Sequence, residues 1–122
     1  MSEELSKLPP QVQQRLMRLQ QLQQSLQSVM GQKQQLEMQL HEVEQAKIEL
    51  EKLDETAVVY KSIGALLVKS EKNTVETELS DRKELLKMRV DVLTKQDKRI
   101  KTQVKELQDQ LQQDLRSTSG SE

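Results

Sequence analysis

Residues that could carry acid–base, metal or nucleophilic chemistry are few in this sequence. His41 is the single histidine and there is no cysteine, so neither a zinc site of the His/Cys type nor a thiolate nucleophile can be assembled. Carboxylates stand in close pairs, Glu42 with Glu44 and Glu49 with Glu51, a spacing that would suit general acid–base catalysis inside a pocket. The helical pattern of this region places all of them on a water-facing surface. We therefore predict no catalytic, metal-binding or cofactor-binding residues and no enzymatic activity.

A basic group around Lys98, Arg99 and Lys101 could contact nucleic-acid phosphates. Acidic residues such as Asp97 and Glu106 interrupt this group, and 19 basic against 20 acidic residues leave a net charge of −1. The basic regions of DNA-binding zippers are denser than this. A solvated helix face is therefore the preferred interpretation, and we predict no nucleic-acid partner.

Composition indicates which elements must position these side chains. The 122 residues are 34% hydrophobic, 32% charged and 1% aromatic. Such a chain is too poor in apolar residues for a wide core, but a seam between helices needs only two apolar positions in seven. No apolar run approaches the roughly 20 residues of a membrane span. The acidic start MSEELSK is unlike a secretory signal, and the absence of cysteine fits a reducing cytosol. We predict a cytoplasmic coiled-coil protein without membrane contact.

Two helical arms follow from a seven-residue apolar pattern. Pro10 suits the first turn of the first helix, and Asn73 with Glu76 forms an Asn-based capping box at the start of the second. The predicted organisation is a flexible lead 1–9, a first arm 10–53, a hairpin linker 54–72, a second arm 73–115 and a disordered tail 116–122. The predicted seam positions are Val12, Arg15, Leu19, Leu22, Leu26, Val29, Lys33, Leu36, Leu40, Val43, Lys47 and Leu50, then Leu79, Lys83, Leu86, Val90, Leu93, Asp97, Ile100, Val104, Leu107, Leu111 and Asp114.

The near-equal arms, each about 65 Å long at ~1.5 Å per residue, suggest that the chain folds back on itself. In an antiparallel pair of helices, a positions of one helix should face d positions of the other. In an antiparallel pair, residue numbers rise along one arm as they fall along the other, so two facing residues have numbers with the same sum in every layer. The two frames meet this condition with an a position of one arm facing a d position of the other. The layers that show it are Leu26 with Ile100, Leu36 with Val90 and Leu40 with Leu86. The polar seam positions add two predicted ion pairs, Arg15 with Asp114 and Lys33 with Asp97, which would help to set the register.

The linker 58–70, VVYKSIGALLVKS, is the one β-rich stretch of the chain. Its β-branched residues, its single aromatic residue Tyr60 and its central Gly64 predict two short strands joined by a turn. An isolated two-stranded hairpin is marginal in water. We therefore expect this hairpin to find partner strands in other chains.

The end of the chain that carries both termini holds more apolar residues than the seam requires. Leu16 and Met17 lie outside the a/d set, Leu115 occupies an e position, and Leu5 and Leu8 precede the first helix. These residues could thicken the seam or staple the helix start. Alternatively, they form a small exposed apolar patch that makes weak contacts with other chains.

The linker also resembles a known family, the prefoldin beta-type subunits. The pattern Val-Tyr-Lys-x-x-Gly-x-x-Leu-Val-Lys of that family matches Val59, Tyr60, Lys61, Gly64, Leu67, Val68 and Lys69. The opening Leu8-Pro9-Pro10-Gln11-Val12-Gln13 is similar to archaeal members, and the resemblance spans nearly the whole chain. Ala65 departs from the pattern, because many relatives carry Pro there.

The resemblance implies a mainly α fold, in which a long antiparallel two-helix coiled coil is joined by a single β-hairpin that contributes to an inter-subunit β-barrel. It implies a subunit of an ATP-independent holdase that needs no cofactor. The implied partners are the alpha-type subunit and further beta copies (two alpha and four beta), unfolded client proteins and a group II chaperonin. Alpha-type subunits carry two hairpins, and this chain has room for one.

Roles of individual residues follow from the resemblance together with the pattern. The residues assigned to oligomerisation are Val58, Val59, Tyr60, Ile63, Leu66, Leu67 and Val68. The residues assigned to client binding at the coiled-coil tips are Leu8, Val12, Leu16, Leu111 and Leu115. Two other hypotheses stay open: a structural coiled-coil scaffold or tether with one dedicated protein partner, and a nucleic-acid-binding zipper.

Overall fold

The computed structural model describes residues 7–120, with side chains through residue 117. Its elements in chain order are helix α1 over Pro10–Glu51, strand β1 over Val59–Ile63, strand β2 over Leu66–Ser70 and helix α2 over Lys72–Gly120. Two long helices with one antiparallel hairpin between them confirm the predicted fold class. Most of the predicted lead, residues 1–6, lies outside the described part.

Helix α1 begins where the prolines predicted. The carbonyl of Pro9 accepts hydrogen bonds from the backbone N–H groups of Val12 and Gln13, at 3.0 and 3.1 Å, which makes Pro10 the first helical residue. Proline fits there because its missing N–H would have no partner in the first turn. Gln13 Nε2 also donates to the carbonyl of Leu8 at 2.8 Å, which fixes the approach of the chain to the helix.

The start of α2 differs from the predicted capping box. Glu71, not Asn73, occupies the N-cap position, because its carbonyl accepts the first helical hydrogen bond from the N–H of Val75 at 3.1 Å. Strand β2 runs to Ser70, so only one residue separates strand from helix and the helix begins at once. Lys72 then donates through Nζ to the carbonyl of Leu53, 2.8 Å away, which ties the start of α2 to the chain just past the end of α1.

The end of α2 also differs from the prediction, since residues 116–120 were assigned to a disordered tail and are helical. Small polar residues such as Ser117 have only moderately lower helix propensity than alanine, so a helix already formed can propagate through them. The helix extends to Gly120, the last described residue, and the rest of the predicted tail, residues 121–122, lies outside the described part.

The residues form two compact units, in each of which a part of α1 lies against a part of α2. We call them the terminal unit, Met1–Gln32 with Leu93–Glu122, and the hairpin unit, Lys33–Val92. In the terminal unit, Arg15 Nη1 forms an ion pair with Asp114 Oδ2, which confirms one of the two predicted pairs. Lys33 and Asp97 belong to different units, and each takes an ion-pair partner from its own helix, Glu37 and Lys101.

The packing follows the predicted seam. All predicted a and d positions of both helices are buried or half-buried. Of the residues considered for chemistry, His41, Glu42, Glu49 and Glu51 are exposed, and Glu44 is half-buried. Gly31 has open space where a side chain would lie. The buried apolar side chains of the described part are Val12, Leu22, Val43, Leu50, Leu86, Leu93 and Leu111.

Asp97 is the one buried polar residue among the described residues, and its side chain is only 11% exposed. One carboxylate oxygen, Oδ2, lies 3.0 Å from Lys101 Nζ, and the other, Oδ1, has no hydrogen-bond partner within the described residues. A buried polar oxygen without a partner destabilises a fold, yet a single polar seam residue can specify the register of a coiled coil.

Replacing Asp97 with leucine is therefore expected to raise the free energy of unfolding by about 1–3 kcal/mol, the usual penalty for a buried unsatisfied polar group. Urea denaturation of the full chain, followed by the helical circular dichroism signal, measures the change. Asp109→Leu makes the same chemical change at an exposed position of α2 in the same unit and is expected to stay within about 0.5 kcal/mol of the parent. Equal or lower stability of Asp97→Leu would contradict this account.

Candidate interaction surfaces

The hairpin is built around a two-residue turn. Ile63 pairs with Leu66, so Gly64 and Ala65 are the central residues of the connection. Gly64 has φ +57° and is the one residue with positive φ in the described part. Positive φ at the first central position alone is the signature of a type II′ turn, which favours glycine there and matches the twist of the flanking strands. Local sequence thus determines this turn.

The register divides the hairpin side chains between two faces. The helix-facing face carries Val59, Lys61 and Ile63 from β1, and the cross-strand partners of these residues from β2. Lys61 Nζ lies 2.7 Å from Glu78 Oε2, so this ion pair links the face to α2, although Ile63, Leu66 and Val68 on it remain exposed. The opposite face, here called the outer face, carries Tyr60, Ser62, Leu67 and Lys69, all of which are exposed.

The residues predicted for oligomerisation are gathered on this hairpin and are largely uncovered in the single chain. Val59 is half-buried, and the other six are exposed, up to 72% for Leu67. Apolar side chains so concentrated on one small element form a patch of the kind that marks protein–protein contacts. The six exposed residues are Val58, Tyr60, Ile63, Leu66, Leu67 and Val68.

The backbone of the hairpin offers unpaired edges as well. In a two-residue hairpin the pair next to the turn is hydrogen-bonded, and the pairs then alternate along the strands. The N–H and C=O groups of Tyr60 and Ser62 on β1, and of Leu67 and Lys69 on β2, therefore point away from the partner strand. Within residues 7–120 the sheet has two strands only. Both edges can thus accept a further strand.

The residues predicted for client binding are placed in three different environments. Val12 and Leu111 are buried in the seam of the terminal unit. Leu8 and Leu16 are half-buried, and Leu115 is 54% exposed. Of the two explanations that the sequence left open, seam packing therefore holds for Val12 and Leu111, and an accessible patch holds for Leu115.

Met17, which lies one residue after Leu16, is also exposed, at 63%. Leu16 and Leu115 directly follow the two members of the Arg15–Asp114 ion pair, which closes the seam at this level. Apolar side chains next to the end of the seam are thus available to other molecules while the coil stays paired.

Sequence reasoning missed a third apolar surface, on α2 within the hairpin unit. Leu85, Met88 and Val92 are exposed although they are large and apolar. Their spacing of three and four residues puts them on one side of the helix. The three residues occupy c and f positions of the seven-residue repeat, outside the a and d positions that form the seam. Their apolar type and their spacing are the only signs of this surface in the sequence.

Sites for small-molecule chemistry are not evident in the described part of the chain. No group of three or more His, Cys, Asp or Glu side chains there could hold a metal ion. The groove beside the hairpin base, about 320 Å³, is lined by polar residues such as Glu55, Lys69 and Asn73. Neither helix has an apolar stretch, among the described residues, that could cross a membrane.

Comparison with known proteins gives a consistent result. A family model for the prefoldin subunit matches residues 13–118. The prefoldin subunit beta of Methanothrix thermoacetophila is 47% identical over 109 residues, which cover 89% of this chain and 91% of the relative. The solved prefoldin beta subunit from Thermococcus strain KS-1 is 42% identical with a TM-score of 0.85, covering 90% of this chain and 96% of that one. The beta2 subunit of the same strain, at 24% identity and TM-score 0.68, shares the fold.

Proposed function

The chain belongs to the prefoldin subunit family, whose members are chaperone subunits and not enzymes, and from this premise we propose that it is a beta-type subunit of an ATP-independent holdase. In this proposal it works in the cytoplasm, binds non-native polypeptides and delivers them to a group II chaperonin. The observation that carries the proposal is that each of the two units exposes an apolar surface. One lies on the β-hairpin of the hairpin unit, and the other lies at the seam end of the terminal unit.

Assembly with other prefoldin subunits is the role we assign to the hairpin. Its two open edges and six exposed apolar side chains are unfavourable in a lone chain, because unpaired strand edges and apolar surface promote aggregation. Strand addition from neighbouring hairpins, closing into a β-barrel, would satisfy the edges. We propose a complex with two alpha-type and four beta-type subunits, in which Val58, Val59, Tyr60, Ile63, Leu66, Leu67 and Val68 form the contacts.

Client binding is the role we assign to the terminal unit. Leu115 is accessible in the paired coil, and Leu8 and Leu16 are partly so. Val12 and Leu111 are packed in the seam and would reach a client only when the end of the coil frays, which is the commonest local opening in helical proteins. Weak contacts repeated on several subunits add up to useful avidity toward one extended polypeptide. Weak individual contacts also permit release.

Deleting residues 1–16 and 108–122 is expected to abolish suppression of aggregation and leave the complex intact. The deletion removes all five residues assigned to client binding and leaves the hairpin unit untouched. The measurement is light scattering of a denatured protein diluted into the reconstituted complex without ATP, with native mass spectrometry to verify assembly. A control deletion of residues 1–6 and 118–122 keeps the five residues and should retain activity.

Two outcomes of this experiment would count against the proposal. Full activity of the larger deletion in an intact complex would overturn the assignment of the client-binding residues. An intact parent complex that gives no protection, but binds one folded protein saturably, would favour the scaffold or tether hypothesis instead.

A further inference from the structure

We propose that Leu85, Met88 and Val92 form a second contact surface between copies of this chain, on which the outer face of a neighbouring copy's hairpin docks. This inference rests on the proposed assembly and specifies an interface within it. We call these three residues the α2 stripe.

The position of the stripe relative to the hairpin is the first argument. Glu78, Leu85 and Val92 are spaced by seven residues, so they lie in one row along α2, with about 10 Å between successive members. The ion pair between Lys61 and Glu78 places the hairpin on the side of α2 that bears this row. The stripe therefore lies on the same face of α2 as Glu78, the residue that contacts the hairpin. In this proposal, a neighbouring chain that adds its strand to the sheet also reaches this face of α2.

Exposure is the second argument. Leu85, Met88 and Val92 are 47, 64 and 55% exposed, although the residues of the α2 seam next to them are buried or half-buried. Scattered apolar residues on a surface are ordinary, but three adjacent ones on a helix face form a continuous patch. The remaining exposed positions nearby are charged, so the patch has a polar border, as protein interfaces commonly do.

Complementarity with one particular occupant is the third argument. The outer face of the hairpin combines Tyr60 and Leu67 with Lys69. The face of α2 that carries the stripe has Asp81 at the end nearer Glu78. Neither Lys69 nor Asp81 takes part in an ion pair within residues 7–117. If Lys69 of the neighbouring copy pairs with Asp81, its Leu67 lies two residues away along β2, at about 6–7 Å. Leu85 and Met88 lie one and two helical turns from Asp81, at about 6–10 Å. The neighbour's Leu67 can therefore lie over the stripe.

Cysteine cross-linking tests this contact directly, since the chain has no cysteine of its own. One batch of chains carries Leu67→Cys and a second carries Met88→Cys. The two are mixed, assembled with a cysteine-free alpha-type partner and treated with a short bifunctional maleimide. We expect a covalent dimer of this chain on a denaturing gel. The matched control uses Met38→Cys in place of Met88→Cys. Met38 lies on α1 and is similarly exposed, at 61% against 64% for Met88. This control should give no dimer above background.

A substitution experiment measures how much the stripe contributes to the stability of the assembly. Leu85→Glu with Val92→Glu is expected to weaken assembly about tenfold or more, as removal of central interface contacts does. The pair Met38→Glu with Ile48→Glu changes equally exposed positions on α1 and should not. Circular dichroism checks that both variants keep their helix content. Subunit dissociation is followed by sedimentation over a dilution series.

The outcomes separate this proposal from the proposed function. Intact assembly without the Leu67–Met88 cross-link, or equal cross-linking in the control, would overturn the docking of the hairpin on the stripe and leave the holdase assignment standing. Failure of the parent chain to assemble at all would instead overturn the proposed function. Unchanged assembly combined with lost client protection in the Leu85/Val92 variant would show that the stripe contacts clients, which also contradicts the proposal.

Discussion

Replacing Leu67 with glutamate is expected to dissociate the complex, raising the concentration needed for assembly by about 100-fold. Leu67 is the most exposed large apolar side chain of the described residues, at 72%, and is the second residue of β2, on the outer face of the hairpin. A charge buried there without a partner opposes the closing of neighbouring strands, and loss of a central interface residue commonly costs about 2–4 kcal/mol. Native mass spectrometry and sedimentation of the mixture with the alpha-type partner measure the effect.

The isolated chain should tolerate this change, because Leu67 makes little contact within its own chain. Helix content by circular dichroism is therefore expected to match that of the parent. The matched control is Met38→Glu, which introduces the same charge at an exposed site of α1 in the hairpin unit and should leave assembly unchanged. If Leu67→Glu chains assembled at parental concentrations, the hairpin could not be the main assembly element.

Replacing Met17 and Leu115 together with glutamine is expected to reduce aggregation suppression about tenfold while the complex stays assembled. Both side chains are more than half exposed in the terminal unit, so their loss removes apolar contact area without opening the seam. In the proposed complex several subunits act on one client, so a small loss of contact at each tip would be multiplied by the loss of avidity. The measurement is the ratio of complex to aggregating protein that halves light scattering.

Met30→Gln is the control for this experiment. Met30 is 50% exposed on α1 within the same unit, but it lies several turns away from the end of the helix. Its substitution removes a similar side chain and should leave protection unchanged. Equal loss in both variants would indicate that exposed apolar residues anywhere on the coil hold clients, and would contradict the assignment to the tips.

The seam of the coiled coil was predictable from the local sequence pattern. Every predicted a and d position is buried or half-buried, and the Arg15–Asp114 ion pair forms between adjacent layers of the antiparallel coil, as the two frames predicted. The seven-residue repeat is a property of the chain itself, since side chains three and four apart share a helix face whatever lies opposite. The type II′ turn at Gly64 is predictable for the same reason, because it depends on one residue's access to positive φ.

Other features depended on which segments meet in space. The capping box at Asn73 obeys local rules, but the short connection from β2 moves the helix start to Lys72, and Lys72 anchors it on Leu53. The burial of Val12 and Leu111, against the exposure of Leu115, follows from which side of each helix the partner covers.

The two helices, their a/d frames and the hairpin with its turn were predictable from the sequence, because helix periodicity and turn geometry are set by neighbouring residues. Which apolar residues remain uncovered depends instead on how the chain packs. Leu85 and Val92 stay exposed on the same side of α2 as Glu78, which pairs with Lys61 of the hairpin. Exposure is a property of the whole packed chain, since a side chain is buried by residues distant in sequence, and no local pattern contains that information.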